Sequence, residues 1–81
     1  MPDLNELRTQ IDKLDATIMN ALNERFALMS DIKAVKANLN KNTTDPNRET
    51  VVLNRANAYD FSASIQAVYQ RIIEVSKDLQ R

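Results

Sequence analysis

The sequence predicts an all-α chain of three helices, long, short and medium, whose long helix offers one face to a second subunit. Three observations predict it. The 81 residues contain no glycine and only two prolines, Pro2 and Pro46, so about forty residues run between them without a backbone breaker. Along that stretch, apolar side chains recur in steps of three and four. Cysteine and histidine are both absent, so no disulfide or thiolate–metal site can supplement a core that is small at this chain length.

The first element spans about residues 4–39. Leu4, Leu7, Ile11, Leu14, Ile18, Ala21, Leu28, Ile32, Val35 and Leu39 form a heptad-like stripe on one helix. At about 1.5 Å per residue that helix is roughly 54 Å long. A compact monomer of this size has too little chain to cover such a stripe, which therefore reads as an intersubunit spine. A polar stretch, Asn38 to Asp45, ends it. Asp45-Pro46 then reads as an N-cap followed by proline at the first helical position, where its missing N–H is harmless. A helix of about three turns follows, with Val51, Val52 and Arg55 towards its inner side. Residues Asn57 to Phe61 read as a turn, with Asp60 or Ser62 as the next cap. The last helix carries Ile65, Val68, Tyr69, Ile72, Val75, Ser76 and Leu79 at helical spacing. Residues 1–81 read as one domain without repeats.

Composition excludes several function classes. Eleven Lys plus Arg balance eleven Asp plus Glu, whereas a nucleic-acid-binding domain usually carries a clear positive excess. No apolar run approaches the roughly 20 residues of a membrane span. Met1-Pro2-Asp3 does not open a secretory signal, and a cytoplasmic setting is the expected one. Without His or Cys there is neither a histidine-based triad nor a thiol nucleophile. The carboxylates are not grouped as an ion-binding loop, so no metal is expected.

The informative polar residues occupy places where carbon is expected. Arg25 interrupts the seam between Ala21 and Leu28, and a guanidinium there is costly unless an anion meets it. Lys36 lies eleven residues on, on nearly the same face and about 17 Å along the helix. The two can flank a small molecule with Ile32 as an apolar wall between them. Equally, Arg25 can pair with a carboxylate or reach out to solvent, and Lys36 alone reads as a solvated side chain. Arg8 is seventeen residues before Arg25, about 25 Å away, so the two cannot share one small site within a chain. An antiparallel pair of long helices brings Arg8 of one towards Arg25 and Lys36 of the other; by itself it reads as an ordinary first-turn arginine. Arg48 and Glu49 open the short helix, where Glu49 also suits the helix dipole. Ser76 and Gln80 are i,i+4 neighbours beside the last apolar stripe. Such a set binds and stabilises a carboxylated, hydroxylated molecule and does not attack it.

These residues resemble a known family, the all-helical (AroQ-type) chorismate mutases, which include the mutase domain of bacterial bifunctional mutase–prephenate dehydratases. The likeness runs through Leu7-Arg8-Thr9-Gln10-Ile11-Asp12-Lys13-Leu14-Asp15, Leu22-Asn23-Glu24-Arg25, Lys33-Ala34-Val35-Lys36, Asp45-Pro46-Asn47-Arg48-Glu49, and Ile72-Ile73-Glu74-Val75-Ser76 with Gln80. It implies an intertwined homodimer with two equivalent sites and no cofactor, acting in aromatic amino-acid biosynthesis on chorismate, which it rearranges to prephenate. By position, the partner subunit donates Arg8, and Arg25, Lys36, Asp45, Arg48, Glu49, Ser76 and Gln80 complete the site. The resemblance makes Arg8 and Arg25 the principal ligands of the two carboxylates, supported by Arg48 and Ser76. Glu49 and the backbone near Asp45 orient the ring hydroxyl, and Lys36 and Gln80 donate to the ether oxygen. Val75 stands where the bifunctional enzymes carry an acidic residue. Two other functions fit parts of the pattern: an isochorismate–pyruvate lyase on the same fold, and a non-catalytic helical dimerisation module.

Overall fold

A computed structural model of the chain describes residues 1–39 and 45–81. Its elements are α1 (Leu4–Asn38), α2 (Pro46–Asn54), a short 3₁₀ helix (Arg55–Ala58) and α3 (Ser62–Leu79). The order long, short, medium is the expected one. The polar connector expected after α1 falls largely on residues 40–44, outside the described residues.

Helix α1 is 35 residues long because nothing in it stops a helix. Its start is fixed by Asp3, whose Oδ1 accepts from the Glu6 N–H at 2.8 Å, satisfying one of the first-turn donors. Glu6 in the first turn and Lys36 in the last both suit the helix dipole. Helix α2 starts as the sequence indicates: Asp45 Oδ1 accepts from the Arg48 N–H at 3.0 Å, with Pro46 at the first position. It is shorter than three turns, because the chain tightens into the 3₁₀ helix at Arg55.

The start of α3 differs from expectation. Its cap is Phe61, with no side-chain hydrogen bond; Asp60 falls one residue too early and Ser62 is already helical. The Phe61 carbonyl still accepts from the Ile65 N–H at 2.9 Å. Gln66 Nε2 donates to the Leu53 carbonyl at 3.2 Å, tying α3 to the end of α2.

The core is small and lies where the second half of α1 meets α3. Met29, Ala56 and Ile73 are its buried apolar residues, joined by the polar Ser76 and Gln80. Leu22 and Phe26 are half-buried on the same face of α1 as Met29. By contrast, every residue from Met1 to Ala21 is exposed. Leu4, Leu7, Ile11, Leu14 and Ile18 are 43% to 62% exposed. Farther along the stripe, the exposed Leu28 and Ile32 border the groove between the helices, while Val35 and Leu39 also face outward. So do Val51, Arg55 and Val68, which the sequence pattern had turned inward.

The result is a rod with extents of 56 × 24 × 15 Å and a radius of gyration of 16.0 Å. A compact domain of this length has a radius of about 12 Å. Its accessible surface is 6706 Å², against about 4,900 Å² for a compact monomer of the same mass.

Candidate active site

Between α1, α2 and α3 lies a cleft of about 370 Å³, within the size range of small-molecule sites. Its apolar lining is Leu28, Met29, Ile32, Val52 and Ile73. Seven of the residues expected from the sequence line it: Arg25, Lys36, Asp45, Arg48, Glu49, Ser76 and Gln80. Arg8 does not; it lies on the exposed first half of α1.

Helix geometry explains the grouping. Arg25, Met29, Ile32 and Lys36 are separated by steps of four, three and four, which keeps them on one face. Ile73, Ser76 and Gln80 do the same on α3, opposite them. The N-terminal turn of α2 brings Asp45, Arg48 and Glu49 to the third side.

The polar side chains hold one another. Arg25 Nη1 donates to Ser76 Oγ, and Ser76 Oγ donates in turn to the Ile72 carbonyl at 2.7 Å. The Arg25 guanidinium also lies 5.9 Å from the centre of the Tyr69 ring, within cation–π range. Lys36 Nζ donates to Gln80 Oε1 at 3.2 Å. Gln80 Nε2 points the other way, donating to Met29 Sδ at 3.4 Å and to the Ser76 carbonyl at 3.3 Å. Ser76 and Gln80 are only 4% and 8% exposed, so these bonds are made where water cannot replace them. Lys77 Nζ lies 2.5 Å from Glu49 Oε1, linking α3 to α2. Among the described residues, no buried side-chain nitrogen or oxygen lacks a partner.

Chemically, this is a cationic cleft with an apolar floor and fixed hydrogen-bond donors, without the histidine or cysteine of a triad or thiol nucleophilic site. A family model described as chorismate mutase type II matches residues 7–81. The chain belongs to the type II chorismate mutase family. A chorismate mutase from Methanocaldococcus jannaschii is 31% identical over 84 residues, covering 96% of this chain and 84% of that protein. A solved structure, a conserved hypothetical protein from Pyrococcus furiosus, superposes with a TM-score of 0.85 at 37% identity. It covers 96% of this chain and 95% of its own.

Against this family background, three cleft residues had escaped the sequence reading. Met29 lies on a second, narrower apolar track of α1, visible in the spacing of Leu22, Phe26 and Met29 but overshadowed by the longer stripe, and Ile73 is the buried α3 residue of the same small core. Lys77 gave no signal, because its partner Glu49 is 28 residues away and no periodicity links them. Among the described residues, no helix is long and apolar enough to cross a membrane.

Proposed function

We propose that the cleft, completed by Arg8 of a second copy of the chain, binds chorismate and rearranges it to prephenate. The observation that carries this is the joint placement of Arg25 against Ser76 and of Lys36 against Gln80 in one cleft. The reaction is a unimolecular [3,3] rearrangement, so the protein needs no proton donor, cofactor or covalent intermediate. It must hold the enolpyruvyl arm over the ring and stabilise charge as the C–O bond breaks.

Arg25 and the partner's Arg8 grip the two carboxylates. The planar guanidinium makes that grip directional, and Ser76 and Tyr69 fix the direction on the Arg25 side. Arg48 supports the same charge, while Glu49 and the backbone near Asp45 orient the ring hydroxyl. Lys36 and Gln80 donate to the ether oxygen. For Gln80 this means exchanging two long bonds, 3.3 and 3.4 Å, for one to developing negative charge. The exchange favours the transition state, since hydrogen bonds to charged groups are roughly twice as strong.

The surface the single chain leaves uncovered supports the dimer. The excess over a compact monomer is about 1,800 Å² per chain, or about 3,600 Å² for a pair, in the range of obligate interfaces. Intertwining through α1 covers the Leu4-to-Ile18 stripe and carries Arg8 to the other cleft.

The test is loss of chorismate absorbance with purified protein, followed by chromatographic identification of the product. Prephenate is the expected product. Inert chorismate together with pyruvate release from isochorismate would instead make the chain a lyase. A folded dimer that consumes neither would leave only the dimerisation module.

A further inference from the structure

Beyond the residues given roles above, the cleft holds one more cation among the described residues, Lys77. It belongs to α3, follows the buried Ser76, and reaches across to α2, where its Nζ sits 2.5 Å from Glu49 Oε1. The two side chains are 29% and 22% exposed, so this is a partly buried pair and not a solvated surface contact. Both line the cleft.

We propose that Lys77 is a positioning residue for substrate binding, acting through Glu49. This rests on the reading of the cleft as the chorismate site. The bridge occupies one carboxylate oxygen of Glu49 and leaves the other to accept from the ring hydroxyl. It fixes a side chain that otherwise rotates freely at the first turn of a short helix. It also answers an electrostatic problem. Among the described residues, the lining has four cations, Arg25, Lys36, Arg48 and Lys77, against two carboxylates, Asp45 and Glu49. A dianionic substrate must approach Glu49, and Lys77 offsets that charge at the point of contact.

The ring hydroxyl takes no part in bond making or breaking. A contact to it is therefore equally strong in the ground state and the transition state, and its loss appears in KM, with kcat little changed.

The experiment is steady-state kinetics on Lys77→Met, Lys77→Arg, Glu49→Gln and the Lys77→Met/Glu49→Gln double variant, each checked for folding by circular dichroism. Lys77→Met is expected to raise KM about tenfold while kcat stays within about threefold. Lys77→Arg is expected to restore KM to within about threefold of the parent. In the Glu49→Gln background, removing Lys77 is expected to have little further effect. Unchanged KM in Lys77→Met, a fall confined to kcat, or fully multiplicative effects in the double variant would each overturn the proposal. Should Lys77→Met not fold, Lys77→Gln is read by the same criteria. A parent chain that leaves chorismate untouched refutes the functional reading instead, and does so before any variant is made.

Discussion

The proposal that each site is shared between two chains makes a quantitative prediction about mixed dimers. Arg8 and Arg25 are seventeen residues apart on one uninterrupted helix, hence about 25 Å apart, too far to hold one small molecule together. If each site takes Arg8 from one chain and Arg25 from the other, Arg8→Ala and Arg25→Ala homodimers are both defective at both sites. Each loses a charged hydrogen bond to a carboxylate, and a fall of about ten- to a hundredfold in kcat/KM is expected. Co-refolding the two variants in equal amounts gives half mixed dimers. In a mixed dimer, one site inherits both intact arginines and the other inherits both alanines.

The mixture should therefore regain about a quarter of the parent activity per chain, from about half the dimers with one working site each. The assay is chorismate consumption before and after co-refolding, with dimer content measured by light scattering. Activity that stays at the mean of the two homodimers, although mixed dimers are present, would refute the trans arrangement. It would mean that both arginines serve one chain's cleft, or that Arg8 serves none.

Three further outcomes are expected. Lys36→Ala should lower turnover by two to three orders of magnitude, about 3 kcal/mol, while the dimer stays folded; normal turnover in a verified dimer would remove Lys36 from the mechanism. Gln80→Glu should make turnover depend on acid, because only a protonated carboxyl can donate to the ether oxygen. Rates should therefore be depressed at neutral pH, where a carboxyl is ionised, and rise as the pH falls, whereas a flat pH–rate profile at parent rates would contradict donation from this position. Leu14→Asp, which puts a charge in the exposed stripe, should abolish the dimer on light-scattering chromatography; an intact dimer would show that the stripe is not the interface.

The helices were legible because local rules decide them: absence of breakers and apolar steps of three and four along α1, and Asp45-Pro46 before α2. The start of α3 was not, because Phe61 caps it with its backbone alone and no side-chain rule applies. Of the seven expected site residues that line the cleft, Arg25, Lys36, Ser76 and Gln80 do so because helical spacing along α1 and α3 survives folding unchanged, and Asp45, Arg48 and Glu49 because they share the capped first turn of α2. What periodicity could not give is which faces meet. The wide stripe from Leu4 to Leu39 drew attention as the main apolar face, yet within the chain α3 packs on the narrower track of Leu22, Phe26 and Met29. Pairings between helices, such as Lys77 with Glu49, are set by the crossing of α2 over α3, and short-range sequence holds no trace of it.

The two tracks on α1 explain how so short a chain can accommodate a polar interior. Within one chain the most buried positions include Ser76 and Gln80, a serine and an amide where carbon would be more stabilising. They are tolerated because each hydrogen bond is satisfied, Ser76 by Arg25 and Ile72, Gln80 by Lys36, Met29 and Ser76. The same network holds the cations in place before a ligand arrives, so little reorganisation remains to be done at the moment of reaction. An interior spent this way leaves a thin core, and the compensating burial must come from elsewhere. The uncovered face of α1 is where it is available. On the proposed dimer, covering that face offsets the thin core, and because the same face brings Arg8 to the other cleft, a substitution that separates the chains should cost stability and activity together.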